Sequence, residues 1–337
     1  MFFYSFPISN TAFYYTLPHT EKEGLFHFLF GTKGKRRLKR QRSSSIYAPG
    51  TLKFTVLADE SLDFEEGDRV HLSVDGIDMF YGYVFAKKSV SDGLISVTAY
   101  DQLRYLKNKD TFIGTGLKAS ELLKRLAEDF HLQTGTIEDT GHVIDIIDEQ
   151  NQTLFDMIQN ALDETLTNTG KLFVLYDDVG RLCLRNINQL KLDLVVDAET
   201  GESYTYETSI DSQTYDKIKL FYENDKTGKR ELYVAQDSSN ISKWGVLQYC
   251  EQVKTTTGVQ AKANSLLKLY NNRTRSLGLK GVFGDPRVRA GCSIIVSLTL
   301  PDMTLCNYMV VHKVTHNFQG ERHSMDLTLI GGEFISG

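Results

Sequence analysis

The segment GTGLK (114–118) is the part of the chain most similar to a phosphate-binding loop. Such loops hold phosphate with backbone N–H groups and with a Gly-Lys-Ser or Gly-Lys-Thr ending. That ending is absent here, and a helical pattern follows directly. We therefore interpret the segment as the glycine-containing start of a helix and predict no cofactor.

Several histidines near the carboxyl end have a spacing that would suit a metal site. His312 and His316 are four positions apart, which places both on one face of a strand, and His323 and Asp326 follow on the next strand. Histidine pairs on strands are more often ordinary surface or interface residues. The sequence therefore predicts no metal site.

Three acidic residues, Glu65, Glu66 and Asp68, could form the carboxylate pair of a glycoside hydrolase. They fall in the motif EEGD, whose glycine and aspartate favour a tight turn with solvated carboxylates. The chain also lacks GxSxG, HExxH and a papain-like cysteine context. We predict no catalytic residue and keep a hydrolase as the alternative.

Composition indicates a folded protein of two or three domains, since 41% of the 337 residues are hydrophobic and 11% are aromatic. Cys183, Cys250, Cys292 and Cys306 form no CxxC pair, so we expect reduced, mostly buried thiols. No signal peptide or long apolar run is evident, so the sequence predicts cytoplasmic folding without membrane insertion.

A run of basic residues interrupts an otherwise acidic chain of net charge −5. Clustered basic side chains can bind nucleic acid or an acidic partner. A solvated strand or loop is the favoured interpretation, and we predict no specific nucleic-acid partner. The residues of this basic run are Lys33, Lys35, Arg36, Arg37, Lys39, Arg40 and Arg42.

Alternating and helical patterns divide the chain. Alternation predicts strands in the first part, and a helical stripe then appears twice, in 118–130 and 154–166, before two more strands. Strands return near Tyr215, and a helix at 261–271 precedes the last strands. The predicted early strands are 51–57, 70–74, 79–85 and 94–100, the middle ones are 171–176 and 182–185, and the last ones are 293–300, 308–314 and 324–330.

The first and last β-regions share one pattern, in which a glycine is followed by strands and turns of similar order. Residues 67–100 match residues 291–330, with Gly67 opposite Gly291. The further matches are Tyr83 and Val84 with Met309 and Val310, and Val97 and Thr98 with Leu327 and Thr328. We predict an internal duplication. A closed ring of three such chains would present six similar units.

Long motifs carry a family resemblance. They include EEGDRVHLSVDGIDMFYGYV, VTAYDQLRYLKNKDTF, TLFDMIQNALDETLTNTGKLFVLYDDVGRLCLRNI and NYMVVHKVTHNF. Over about residues 50–335 the chain resembles the XkdQ/YqbQ family of prophage tail proteins, which are similar to the baseplate hubs of contractile phage tails and phage-tail-like bacteriocins. Residues 1–40 do not match the usual start of that family.

The resemblance implies a mixed α+β, mainly β fold with two related tube-forming, β-barrel-like domains and an α+β domain. The first tube-like domain would be 1–107, with 1–40 atypical. The α+β domain would be 108–205 plus 237–280, and the second tube-like domain 206–236 plus 281–337.

The resemblance also implies a structural role without catalysis. We expect a homotrimer with a pseudo-six-fold ring that joins the hexameric tail tube, or a tube-initiator protein, to a trimeric spike. Baseplate wedge proteins and the tape-measure protein are further expected partners. The expected location is the baseplate of a phage, defective prophage or bacteriocin particle, a contractile injection system assembled in the bacterial host cytoplasm. A tail-associated cell-wall hydrolase remains the alternative.

Aromatic residues are candidates for contacts between subunits, because amphipathic rings suit such interfaces. The lone tryptophan, Trp244, could anchor a partner, but we favour packing of the 237–280 insertion onto the α+β domain. The candidate contact residues are Tyr81, Tyr83, Phe85, Tyr100 and Tyr105, some of which we expect in the barrel core.

Overall fold

The computed structural model describes most of the chain. The described residues are 11–16, 26–28, 39–58, 64–90, 93–211, 213–224, 228–253, 256, 258–300, 304–320 and 322–331. The parts of the sequence outside these ranges include most of residues 1–38.

Strands dominate, which confirms the predicted mixed α+β, mainly β class. The first part forms β1 (Thr11–Thr16), β2 (Phe26–Phe28), β3 (Lys39–Ser45), β4 (Ala48–Leu57), β5 (Arg69–Val74), β6 (Ile77–Val90) and β7 (Leu94–Tyr100). The middle part forms a 3₁₀ helix (Gln102–Lys107), β8 (Lys109–Lys118), α1 (Ala119–Asp129), β9 (Thr134–Ile137), β10 (Val143–Thr153), α2 (Leu154–Thr169), β11 (Phe173–Asp177), β12 (Leu182–Asn186) and a 3₁₀ helix (Ile187–Gln189).

The rest of the chain returns to strands around two helices. It forms β13 (Lys191–Asp197), β14 (Ser203–Ser209), β15 (Lys217–Asn224), β16 (Lys229–Gln236), α3 (Ser238–Trp244), β17 (Gln248–Gln252), α4 (Val259–Tyr270), β18 (Thr274–Phe283), β19 (Ser293–Thr299), β20 (Thr304–Gln319) and β21 (Arg322–Ile330). Within the described ranges no helix is both long and apolar enough to cross a lipid bilayer.

The middle unit is built on α1 and α2, whose apolar stripes face a shared core. Leu122 and Leu126 of α1 and Met157 and Ile158 of α2 are all buried in that core. α2 ends at Gly170, which adopts a φ of 69°, a left-handed conformation that glycine reaches without a Cβ clash.

One large sheet contains the same strand path twice. In the first copy neighbouring strands follow the order β3-β4-β7-β6-β5, and in the second copy they follow β14-β18-β21-β20-β19. A bulge falls between Val84 and Ala86 where β6 pairs with β7, and between Val311 and Lys313 where β20 pairs with β21. Matching path and matching bulge support the predicted duplication.

Two glycines mark equivalent places in the copies, as the sequence predicted. The N–H of Gly67 donates to the Val84 carbonyl at 2.8 Å, and the N–H of Gly291 donates to the Val311 carbonyl at 2.8 Å. Both glycines have positive φ, 99° and 85°. These bonds make Val84 equivalent to Val311.

The predicted match of Val84 with Val310 is therefore wrong by one residue. The predicted match of Thr98 with Thr328 is confirmed, since these residues pair with the equivalent positions Ala86 and Lys313. The hairpin between β19 and β20 is longer than that between β5 and β6, and alternation alone does not locate the extra residues.

Pairing between β20 and β3 joins the two copies into a continuous sheet. Residues 313–319 of β20 run antiparallel to all of β3. Here β20 extends beyond β19, whose pairing with β20 covers only residues 304–310. We call this pairing of residues 313–319 with residues 39–45 the seam.

Sheet membership departs from the predicted domain division at two places. β15 and β16, expected in the second tube-like domain, pair with β17 in a separate sheet. That sheet packs against α4 through buried residues such as Leu220 and Leu266. β13, expected in the α+β domain, pairs instead with β19 of the large sheet. β14 spans the predicted boundary at residue 205 and pairs with β18 of the same large sheet. Alternation predicts a strand but does not specify its partner, which is why these assignments failed.

The equivalent glycines provide a matched test of this fold. A Cβ at Gly67 would meet no atom within 4 Å, whereas one at Gly291 would lie 2.3 Å from Cγ1 of Val174. Gly67→Ala should cost only backbone strain, about 1–2 kcal/mol, while Gly291→Ala adds a steric clash and should cost about 2–5 kcal/mol. Urea unfolding of both variants measures the difference. Equal losses would contradict the placement of Gly291 against Val174.

Candidate functional site

Arg42 and His316 lie directly opposite each other at the seam. Both are buried, with relative exposures of 9% and 0%. Burial lowers the pKa of Arg42 to about 10, a shift that Asp101 and Asp177 oppose and Arg289 adds to. The guanidinium therefore stays charged at neutral pH inside the protein.

The favoured interpretation of the basic run as a solvated face is wrong at Arg42. Alternation along β3 turns this residue inward, while its neighbour Gln41 remains exposed. Lys33, Lys35, Arg36 and Arg37 lie outside the described residues.

His316 and His323 form a hydrogen-bonded pair beneath the seam. Nε2 of His316 lies 2.9 Å from the Val288 carbonyl oxygen, and its Nδ1 lies 2.9 Å from Nε2 of His323. A carbonyl oxygen only accepts, so we assign the proton of neutral His316 to Nε2. Its Nδ1 then accepts from the Nε2–H of His323.

This arrangement favours two neutral imidazoles. Burial lowers the pKa of His316 well below its usual value, and the charges of Arg42 and His323 lower it further. Burial also lowers the pKa of His323 to about 4, although Asp285 and Asp75 act in the opposite direction. A proton on Nδ1 of His316 would face the N–H of His323, which is the physical reason why His316 has a low affinity for a second proton.

Two carboxylates lie near Arg42, the buried Asp101 and the partly buried Asp177. Asp101 accepts hydrogen bonds from the backbone N–H groups of Gly50 at 2.8 Å and Leu103 at 3.1 Å. Burial raises the pKa of Asp101 well above its usual value, and the charge of Asp177 adds to that shift. Burial likewise raises the pKa of Asp177 to about 6, against a hydrogen bond from the Gly180 N–H.

These charged groups lie where the first β-copy, the middle unit and the second β-copy meet, a place that we call the junction. Asp101 ends the first β-copy, Asp177 ends β11 in the middle unit, and Arg289 precedes β19 of the second copy. The guanidinium of Arg289 lies 3.3 Å from the centre of the Tyr176 ring. Apolar residues from the same three units surround the junction, namely Ile46, Val174, Tyr176, Cys183, Ile187, Leu190, Ala290 and Val310.

The histidines weighed as metal ligands are only partly brought together. His316 and His323 meet, but Asp326 lies opposite Thr315 on the other face of the sheet and accepts from the Gly281 N–H at 3.0 Å. His312 falls within the bulge of β20. Within the described part of the chain, no group of three or more His, Cys, Asp or Glu side chains has metal-binding geometry.

The acidic residues weighed for hydrolysis form a turn. Glu65 and Glu66 are exposed, and the Asp68 carboxylate accepts from the Glu65 N–H at 2.7 Å. Lys87 lies 3.9 Å from Glu66. The GTGLK segment (114–118) forms the end of β8 and leads directly into α1.

The aromatic candidates form a half-buried strip beside the 3₁₀ helix Gln102–Lys107. The ring centres of Tyr81 and Tyr83 are 6.1 Å apart, and those of Phe85 and Tyr100 are 5.4 Å apart. Trp244, at the end of α3, is also only half-buried. These residues thus have area left for partners.

Among the strand edges of the large sheet that pair with no other described strand, two correspond to the strands of the seam. β14 ends the sheet beyond β18. Beyond the bulge, residues 86–90 of β6 pair with β7 alone. Tyr204 and Glu207 on β14 are exposed, as are Lys88 and Ser89 on β6. We call these the β14 edge (203–209) and the β6 edge (86–89).

Known proteins share this architecture. The 43 kDa tail protein of prophage MuSo2 from Shewanella oneidensis superimposes with a TM-score of 0.65 over 97% of this chain and 99% of that chain, at 13% sequence identity. The duplicated sheet with its middle unit therefore defines a fold of the prophage tail protein class.

Sequence comparisons define the family. The model of the YqbQ-like family matches residues 41–330. YqbQ of Bacillus subtilis is 34% identical over 273 residues, 79% of this chain and 81% of YqbQ. The phage-like element PBSX protein XkdQ, also of Bacillus subtilis, is 30% identical over 295 residues, 84% of this chain and 88% of XkdQ. The chain belongs to the YqbQ-like family.

The histidine pair predicts acid sensitivity. An unfolded histidine gains its proton near pH 6.5, whereas folded His323 gains it near pH 4, so the unfolded state binds more protons between these values. Stability should therefore fall as pH falls through this window, by roughly 1–2 kcal/mol for this partly screened group.

The substitution His323→Gln keeps an N–H donor for His316 but does not titrate. We expect the variant to lose less stability than the original protein between pH 7 and pH 4.5 in urea unfolding. His131→Gln is the matched control, since His131 is exposed. An unchanged pH dependence in His323→Gln would overturn the assignment of the buried pair.

Proposed function

We propose that this chain is the baseplate hub of a contractile phage tail or of a phage-tail-like particle. The observation that carries the proposal is the duplicated strand path, joined within one chain by the seam. In this role the protein makes and breaks no covalent bond. It matches symmetries and transmits force.

The seam is a head-to-tail contact, because the extended end of β20 in one copy meets β3, the outer strand of the other. A contact of this kind leaves each chain with two unused edges. The β6 edge is equivalent to the seam part of β20, and the β14 edge is equivalent to β3. Repeated head-to-tail contacts close into rings when the rotation allows it. Three chains would then present six similar units to a hexameric tail tube while keeping three-fold symmetry for a trimeric spike.

The relatives support this setting. XkdQ belongs to a phage-like element, and the superimposed Shewanella protein is a prophage tail protein. We propose a homotrimer whose ring contacts the tube or a tube initiator on one side and the spike on the other. Wedge proteins and the tape-measure protein complete the proposed partners, and assembly takes place in the host cytoplasm.

The alternative, a cell-wall hydrolase, has less support. Glu65 and Glu66 are exposed in a tight turn, and the buried Asp68 accepts a hydrogen bond from the Glu65 N–H. An inverting or retaining hydrolase instead places two carboxyl groups across a substrate cleft, with one of them protonated at neutral pH. We favour the structural role for this reason.

Absolute mass tests the proposal. Purified protein, alone and with a trimeric spike protein of the same particle, should give a species of about three times 38.2 kDa across concentrations. Light scattering coupled to size exclusion provides the measurement. A chain that stays monomeric under both conditions would contradict the hub.

A peptidoglycan-release assay on the same sample separates the two functions. We expect no release from the original protein and no difference in Glu65→Gln or Glu66→Gln. Release that collapses in either variant would establish the hydrolase instead.

A further inference from the structure

The duplication also predicts how one chain contacts the next, because the residue pairs of the seam are known. Seam residues 39–45 correspond to the β14 edge, and seam residues 313–316 correspond to the β6 edge. The following inference rests on the proposed trimer and specifies its contact.

Lys88 is the counterpart of Thr315. After the bulge in β20, Lys313 pairs with Thr328 and Thr315 pairs with Asp326. After the bulge in β6, Ala86 pairs with Thr98 and Lys88 pairs with Ser96. Lys88 and Thr315 therefore occupy the same place relative to their bulges.

Glu207 is the counterpart of Ser43. Ser43 pairs with Thr51 in the first copy, and Glu207 pairs with Ser276 in the second. Thr51 pairs with Tyr100, and Ser276 pairs with Ile330. Tyr100 and Ile330 are equivalent, because each lies two residues after the matched threonines of the two copies. The outer strands β3 and β14 are thus in the same register.

Within the chain, Thr315 pairs directly with Ser43. We propose that the β6 edge of one chain pairs antiparallel with the β14 edge of the next chain, in the register that places Lys88 opposite Glu207. The partner of each edge is a second copy of this chain.

Charge complementarity supports this occupant and this register. Opposite charges directly across an antiparallel pair are favourable, and like charges there are unfavourable. Lys88 and Glu207 attract each other, whereas pairing two β6 edges or two β14 edges about these residues would oppose like charges. Both side chains are exposed in the single chain. The charges therefore favour the head-to-tail contact and disfavour a two-fold one.

The edges themselves also need covering. An unpaired strand edge carries free N–H and C=O groups and promotes unspecific association. On the β14 edge, Tyr204 is 48% exposed. Pairing in the seam register would satisfy the backbone of both edges and cover part of this aromatic surface.

Disulfide trapping tests the register. Lys88→Cys and Glu207→Cys are combined in a background in which the exposed Cys250 and Cys306 are changed to serine. Directly opposed residues on antiparallel strands have Cβ separations of about 4.5–5.5 Å, close enough to form a disulfide with small adjustment. Under mild oxidation we expect covalent dimers and trimers on a non-reducing gel.

Two controls define the result. Each single cysteine variant should give no ladder. Lys88→Cys combined with Ser203→Cys, which lies further along the β14 edge, should give far less cross-linking than the matched pair. Preferential cross-linking of the Ser203 pair, or none for the matched pair in a sample that is trimeric, would overturn the register.

Charge reversal provides an independent test with the same assembly as readout. Lys88→Glu and Glu207→Lys should each raise the dissociation constant of the trimer, by about 2- to 10-fold, and the double variant should recover part of the loss. Equal dissociation constants for all four proteins would contradict the pairing.

The outcomes separate this inference from the hub. A trimer that fails the cross-linking test retains the proposed function and rejects the contact. A chain that is monomeric both alone and with the spike rejects both.

Discussion

The pairing of β20 with β3 is the interaction on which the rest of the molecule depends. It joins two copies of one strand path into a single sheet, and the backbone groups of residues 39–45 and 313–319 satisfy each other there. Val314 and Phe318 of the seam are buried in the cores of the two copies, so the side chains on their face of the sheet are removed from water. Arg42 and His316 are consequently buried, and they require the acceptors and neighbours that the junction provides. The seam thus determines both the chemistry of the junction and the positions of the two units.

The two copies have kept the path while their outward chemistry has diverged. At the seam, the residues in register are Thr315 with Ser43 and the buried pair His316 with Arg42. At the counterpart edges, charged and aromatic residues lie exposed instead. A permanent contact within one chain can include buried polar groups, such as a neutral His316 and an Arg42 enclosed by other residues. A contact made during assembly benefits from complementary charges, which steer the encounter and reject wrong partners.

Much of the fold follows from local patterns. The strand predicted at 94–100 is β7, and the predicted equivalence of Gly67 and Gly291 holds in the hydrogen bonds. Strand partners do not follow from such patterns, because alternation describes one strand at a time. The sheet partners of β13 and β15 differ from the predicted division for this reason. Pairing is decided by contacts distant in sequence.

The residues of the candidate site were harder to predict from the sequence than the fold. A contiguous run of charges suggests a solvated face, yet on a strand every second residue turns the other way, and this alternation was the available signal for Arg42. The sequence correctly predicted that His316 and His323 lie on neighbouring strands. It did not identify the Val288 carbonyl, which comes from a distant loop and determines that the pair is hydrogen-bonded and neutral.

The central claim is that contacts between chains repeat the contact within a chain. Electron cryomicroscopy of the purified assembly, at a resolution that traces strands, tests it most directly. The account predicts a closed ring of three chains in which the β6 edge pairs with the neighbouring β14 edge, giving six seams of one register. A ring in which the β14 edge faces solvent, or in which chains meet through other strands, would contradict it.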